Sequence, residues 1–297
     1  MYAGDKRLAI SQSVFGHVRW QLGAMGMVMK SKESNWRFFS FAQTHAGKVR
    51  PYNEDAYLEC TVEGVWVVAD GMGGHKAGDV ASRMLVDTVQ QFVKELPRES
   101  LGIDYMRKAL DEANSRIFDY SQRYLQGETI GTTAVLLFVQ DGRYHCLWVG
   151  DSRLYLQRNQ QLVQKTRDHS QVMDMVEQGL IRAYETENHP MANVITRAIG
   201  VGPDIVIDQI SGELVWGDQF LLCTDGLTKE LPDAHMAHCM QSNIISDSGL
   251  ALMHSALVRG ASDNVTCVLV RATNTGGDNQ QGTESDDTVP LFNYARQ

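Results

Sequence analysis

Short, β-branched apolar runs alternate along the chain with longer stretches in which apolar residues recur every three or four positions. Residues 36–42 and the run Val65-Trp66-Val67-Val68 are too short and too branched for helices, and predict strands. From Gly78 onward Val80, Met84, Leu85, Thr88, Phe92 and Val93 fall at helical spacing, which predicts an amphipathic helix closed by Pro97. A second helix is predicted from the face Met106, Leu110, Ala113, Ile117, Tyr120 and Tyr124, ending near Gly127. Residues 133–139 and 143–149 predict two strands joined at Asp141-Gly142, a hairpin signal. Residues 153–157 and 161–165 predict another pair, turned at Asn159. A helix at 170–179, a strand at 220–223, a helix at 250–258 capped by Gly260 and a strand at 265–270 complete the reading.

Strands that arrive as hairpins, with helices in separate blocks, predict an α+β fold with two antiparallel sheets packed face to face and helices outside. One domain is expected over residues 36–272. Residues 1–35 are set apart as an N-terminal extension, with Met25, Met27 and Met29 as alternative starting points. Residues 273–297 are rich in Gly, Asn, Gln, Thr and Asp and predict a disordered tail. The apolar island Val289-Pro290-Leu291-Phe292-Asn293-Tyr294 within it reads either as a docking peptide or as a stray cluster.

Composition narrows the function classes. A hydrophobic content of 43% with 21% charged residues is that of an ordinary globular protein. The net charge of -9 argues against a nucleic-acid partner, which would call for a basic stripe. Cys60, Cys146, Cys223, Cys239 and Cys267 are odd in number and lack Cys-x-x-Cys spacing, so reduced thiols are expected rather than a disulfide frame or a zinc site. Cys223 lies two residues before Asp225, which leaves an oxidation switch open beside a buried core thiol. Residues 8–29 carry His17, Arg19 and Gln21, too polar for a span of about 20 apolar residues. No signal peptide is predicted, and a cytoplasmic monomer is expected.

Four fragments place a carboxylate beside glycine, a hydroxyl residue or asparagine: Asp70-Gly71-Met72-Gly73-Gly74, Gly150-Asp151-Ser152-Arg153, Asp225-Gly226-Leu227 and Asp263-Asn264. Any one alone reads as a turn, because Asp bonds its own backbone and Gly accepts positive φ. Together with Arg50-Pro51-Tyr52-Asn53-Glu54-Asp55 they read as an oxygen-rich site for hard cations such as Mg²⁺ or Mn²⁺, with a cation kept for an anionic substrate. Two such ions about 3.5–4 Å apart can make a bound water acidic and clamp the attacking and leaving oxygens of a hydrolysis. No Cys-x₅-Arg loop is present, so a thiol nucleophile of that kind is not predicted.

The order and spacing of these fragments resemble the metal-dependent serine/threonine phosphatases of the PPM type, or protein phosphatase type 2C, in bacterial form. The resemblance runs from about Phe39 to Arg271 and includes Gly131-Thr132-Thr133, Thr166-Arg167-Asp168-His169-Ser170 and Ile195-Thr196-Arg197-Ala198-Ile199-Gly200. It implies an αββα four-layer sandwich with metals in a cleft at the sheet ends, and a mobile flap over residues 166–200. It also implies that Asp70 bridges two ions, that the Gly71 carbonyl is a further ligand, and that Asp225 and Asp263 complete one metal site. Glu54 engages the second ion through water. Asp151 is implied to hold a third ion with Asp225, its alternative being a turn carboxylate. Arg50 holds the substrate phosphate, for which a guanidinium fork is better suited than lysine. Asp55 stands behind the site, and Asn264 orients Asp263.

Animal members carry a histidine where this chain has Met72, and methionine cannot donate a proton. His75 and His169 read as structural or surface residues. The implied partners are phosphorylated proteins, a serine/threonine kinase and its substrates. A catalytically silent phosphoprotein-binding scaffold of the same fold is the alternative, and lost metal carboxylates would be its signature. A narrower role on anti-sigma-factor antagonists is disfavoured because such proteins carry appended sensor domains. A two-metal phosphodiesterase or nuclease is disfavoured by the acidic chain.

Overall fold

The computed structural model describes residues 36–73, 77–186 and 189–274. The N-terminal extension, Gly74, His75 and residues 275–297 with the apolar island lie outside the described residues, while Thr273 and Asn274, predicted to start the disordered tail, instead continue the last strand.

Among the described residues eleven strands form two antiparallel sheets. The first contains, in spatial order, β1 (Trp36–His45), β11 (Val265–Asn274), β10 (Gln219–Cys223), β7 (Arg153–Arg158) and β8 (Gln161–Gln164). The second contains β2 (Asp55–Cys60), β3 (Val65–Gly73), β5 (Ala134–Gln140), β6 (Arg143–Val149) and β9 (Asp208–Glu213), with the short β4 (Ile130–Thr132) paired to the end of β3. Helices α1 (Gly78–Glu95) and α2 (Ile103–Tyr124) cover the second sheet. Helices α5 (Asp233–Cys239) and α6 (Ile245–Arg259) cover the first. The four layers and the α+β class agree with the sequence reading.

Strand alternation explains how three apolar layers arise from two sheets. In β3, Val65, Val67 and Ala69 face the helices, while Trp66 and Val68 face the other sheet. In β10, Leu221 and Cys223 face α5 and α6, while Phe220 and Leu222 face inward. The central layer is closed by Trp66 edge-on to Phe38 at 5.5 Å and by Tyr144 against Phe220 at 5.0 Å.

Both predicted hairpins form. Asp141 and Gly142 have φ of 51° and 73°, and Asn159 and Gln160 have 53° and 63°, the pair of positive values that a two-residue turn between twisted strands requires. Several boundaries differ. Strand β3 does not stop at Ala69 but runs through Asp70 and Gly71 to Gly73, because β4 pairs with its last three residues. The buried face of α1 is Ala81, Ser82, Leu85, Val86, Thr88, Val89 and Val93, rotated from the predicted one, with Val80, Met84 and Phe92 only partly covered. Tyr124, the last residue of α2, is 70% exposed rather than part of the buried face. Helix α6 starts five residues earlier than predicted, and β2, β4, β9 and α5 were not anticipated.

Phe220 is fully buried between the sheets. Phe220→Ala is expected to cost about 3–5 kcal/mol through lost burial and a residual cavity. Urea unfolding checks this as a lower midpoint at unchanged slope.

Candidate metal centre

The strand ends at one edge of the sandwich carry the acidic fragments. Asp55 opens β2 and sits opposite Asp70 in the β2–β3 ladder, so two carboxylates are paired by register alone. Asp151 follows β6 and precedes β7, Asp225 follows β10, and Asp263 precedes β11. Asp225 begins a one-turn helix, α4 (Asp225–Thr228), with Thr224 just before it.

Hydroxyl groups fix the backbone beneath these carboxylates. The Asp70 amide donates to Thr133 Oγ1 at 3.0 Å, and its carbonyl accepts from the Thr133 amide at 2.8 Å and from Thr132 Oγ1 at 3.0 Å. Thr133 Oγ1 lies 2.7 Å from Ser152 Oγ, joining the Asp70 and Asp151 loops. Thr224 Oγ1 and Thr266 Oγ1 both donate to Asp55 Oδ2, at 2.9 and 2.7 Å. The Asn264 side chain donates to the carbonyls of Ala46 and Tyr52 at 3.0 and 2.8 Å and accepts from the Glu54 amide at 2.8 Å. Its amide thus secures the loop between Arg50 and Glu54, while its backbone N–H orients Asp263 by donating to Oδ1 at 3.0 Å.

The glycines beside two of the carboxylates are required by close approach rather than by turns. A Cβ on Gly71 would lie 2.1 Å from the Gly78 carbonyl, and one on Gly226 would lie 1.9 Å from the Asn264 carbonyl. The Gly71 amide donates to the Glu54 carbonyl at 3.1 Å, which keeps Glu54 beside Asp70.

Two cations enter the pocket. Arg50 grips Asp263, Nε to Oδ1 at 2.9 Å and Nη2 to Oδ2 at 3.1 Å. Lys229 places Nζ 2.6 Å from Asp225 Oδ2 and 3.3 Å from Asp263 Oδ2. Lys229 was missed in the sequence. Its signal was there, an Asp-x-x-x-Lys step that puts the ammonium one helical turn from Asp225.

Electrostatics follow from this crowding. Burial, then the charges of Asp55, Asp225, Asp151 and Asp263, push the Asp70 carboxyl well above the ordinary range. Burial pushes Asp55 up to about 7 despite its two hydroxyl donors. Asp151 also rises to about 7, through burial and the charges of Asp225 and Asp168. Burial raises Glu54, opposed by the Gly78 amide. Asp263 moves the other way, since the Arg50 hydrogen bond and the Lys229 charge outweigh its burial.

Among the described residues no three of these side chains meet at the distance a single ion would demand. The donor set nonetheless fits hard cations. It is all oxygen, its carboxylates repel one another, and the buried Asp55 Oδ1, Asp79 Oδ1 and Asp225 Oδ1 have no hydrogen-bond partner.

The 166–200 segment is tied to the same edge. Arg153 binds Asp168 bidentately, Nε to Oδ1 at 3.0 Å and Nη2 to Oδ2 at 2.7 Å. His169, 1% exposed, accepts from the Gly150 amide at Nδ1 and stacks on Trp148, and burial lowers its basicity. It is structural, as expected. At the other root, Thr132 and Ile199 exchange both backbone hydrogen bonds at 2.9 Å. The segment carries a short helix, α3 (Gln171–Glu177), N-capped by Ser170. Cys223 is fully buried and its thiol is pushed up by that burial, so it is a core residue and not an exposed redox group.

The sequence pattern described as Protein phosphatase 2C matches residues 43–248. The chain belongs to the protein phosphatase 2C family. A relative named serine/threonine phosphatase stp from Listeria monocytogenes is 34% identical over 236 residues, 77% of this chain and 93% of that one. Among solved structures, PppA, described as a key regulatory component of T6SS in Pseudomonas aeruginosa, is 38% identical with a TM-score of 0.72, covering 80% of this chain and 98% of that one. The catalytic domain of the serine/threonine protein phosphatase PstP, solved in complex with two manganese ions, is 29% identical with a TM-score of 0.74, covering 80% of this chain and all of that one. Both structures share the fold of this chain. No helix among the described residues is long and apolar enough to cross a membrane.

The raised carboxyls set a pH dependence. Between 3.8 and about 7 the folded chain holds protons at Asp55 and Asp151 that the unfolded chain has released, so stability rises as pH falls through that window. In EDTA the melting temperature is expected to climb by several degrees from about pH 8 to about pH 5, and saturating Mn²⁺ is expected to flatten the trend. Differential scanning fluorimetry in the two buffers checks it; a fall across the window in EDTA would contradict it.

Proposed function

We propose that this chain hydrolyses phosphoserine and phosphothreonine monoesters in proteins, with two divalent ions, Mn²⁺ or Mg²⁺, at the ends of the sheets. The observation that carries the reading is the gathering of Asp70, Asp151, Asp225 and Asp263 from separate strand ends of both sheets, in a chain of the phosphatase 2C family. When bound, such ions supply an acidic water and a clamp on the attacking and leaving oxygens.

In this reading the catalytic domain is residues 36–272, with the flap at 166–200. Asp70 and the Gly71 carbonyl would hold the ions, with Asp225 and Asp263 on one of them and Glu54 toward the other. Asp151 with Asp225 would hold a third. Arg50 stands half-exposed at the mouth, and its fork suits two oxygens of the substrate phosphate. Asp55 and Asn264 act behind the ligands, through the threonine bonds and the hold on the Arg50–Glu54 loop. Met72, half-buried, supplies no proton to the leaving group.

The chain acts in signal transduction in the cytoplasm, as a monomer, reversing the work of a serine/threonine kinase. The regulatory role described for the Pseudomonas relative supports the signalling part of this reading. A silent scaffold could dispense with metal carboxylates, yet each candidate carboxylate is present.

Hydrolysis of a phosphothreonine peptide should require Mn²⁺ and stop in EDTA. Asp225→Asn should retain its circular dichroism spectrum and lose more than about 100-fold in kcat/KM, beyond the loss typical of an outer-shell change. Absence of turnover by folded, Mn²⁺-loaded wild type on several phosphopeptides would instead favour the scaffold.

A further inference from the structure

Lys229 ends α4 with its amide bonded to the Asp225 carbonyl at 2.8 Å, so its stem starts from a fixed point one turn beyond the carboxylate it meets. The ammonium does not lie out in solvent. The side chain is 33% exposed, and Nζ bridges Asp225 Oδ2 and Asp263 Oδ2, two carboxylates delivered by different strands. Its charge also acts on Asp151. Asp225 Oδ1 is buried and unpartnered, so the lysine neutralises this carboxylate through one oxygen only.

Asp225 and Asp263 are the two carboxylates that the proposed function gives to one metal ion, and the role inferred for Lys229 rests on that assignment. A divalent ion placed there needs the same negative charge that the ammonium already compensates. Two cations within a few ångströms repel strongly in a partly desolvated pocket. Lysine is suited to give way, because it is a compact charge on a flexible four-carbon stem. Only the Lys229 side chain would have to swing, since its backbone belongs to the helix end.

We propose that Lys229 is a built-in counter-cation that competes with the divalent metal for Asp225 and Asp263, and so sets the affinity of the site for metal. It supports the acidic pocket when metal is scarce and weakens metal binding when metal is present.

The test uses the full chain, stripped with EDTA and titrated with Mn²⁺ alone by calorimetry, with thermal melts in EDTA and in saturating Mn²⁺. Lys229→Met, which keeps the stem and removes the charge, is expected to bind Mn²⁺ at least about tenfold more tightly. It should melt a few degrees below wild type in EDTA, with the gap closing in Mn²⁺. Lys229→Arg should not tighten binding. Lys94→Met, at an exposed lysine on α1, should leave both readouts unchanged. Unchanged Mn²⁺ affinity in Lys229→Met overturns the proposal. Weaker affinity overturns it too, by making the lysine an aid to the ligands, and equal tightening in Lys94→Met reduces it to a general charge effect. Lys229→Gln stands in should the methionine variant fail to fold. Asp225→Asn keeps the two readings apart: wild-type Mn²⁺ affinity in that variant would remove the metal assignment itself.

Discussion

Asp55 is the point at which the two sheets are fastened together at the working end of the sandwich. It opens β2 in one sheet, and its Oδ2 accepts hydrogen bonds from Thr224 and Thr266, which belong to the ends of β10 and β11 in the other. Apolar packing between the sheets sets their spacing but is non-directional, so it permits sliding along the strands. The two hydroxyl bonds do not. They fix which strand ends face each other, and hence that Asp70, the ladder partner of Asp55, stands near Asp225 and Asp263. A buried carboxylate is a costly fastener, as its upward shift shows, but threonine offers hydrogen bonds without adding another charge.

Concentrating carboxylates at one edge opposes folding, and the structure offsets this by several separate means. Asp263 is met by Arg50 and Lys229, and Asp225 by Lys229. The backbone beneath Asp70 is braced by Thr132 and Thr133, whose partners include Ser152 beside Asp151. Asp70 and Asp151 gain no full counter-charge from this arrangement, and both are pushed above the ordinary carboxyl range. Local repulsion held in place by surrounding order is the usual form of a site built for function rather than stability.

Much of this was legible in the sequence, and the failures have physical causes. The hairpins at Asp141-Gly142 and Asn159 were visible because turn chemistry is local. Strand β3 was cut short because Asp70-Gly71 has the chemistry of a turn; only the pairing of Gly71–Gly73 with the distant β4 keeps it extended. The α1 stripe was rotated because Ala81 and Ser82 are buried, and small or hydroxyl residues carry little apolar signal. Strand β2 alternates as a strand should, but it opens with Asp55 and contains Glu59, which mask the pattern. The carboxylates were singled out from their fragments, together with Asp55 and Asn264 behind them. Thr224 and Thr266 were not read as supports, because they are ordinary residue types whose meaning depends on Asp55, 169 and 211 positions away.

The same distinction between ligand and support applies to the 166–200 segment. Its roots are Asp168 on Arg153, His169 on Gly150 and Ile199 on Thr132, and each partner lies next to or within two residues of Asp151 or Asp70 in chain or ladder. A displacement of the segment therefore cannot leave the acidic edge untouched, because the Gly150 carbonyl, which accepts from the His169 amide at 2.9 Å, belongs to the peptide preceding Asp151. Between those roots, α3 buries Val172 and keeps most of its other residues partly covered, whereas residues 178–185 beyond it are mostly exposed. The loosely held stretch therefore lies past the helix, and a shift confined to it disturbs the acidic edge least.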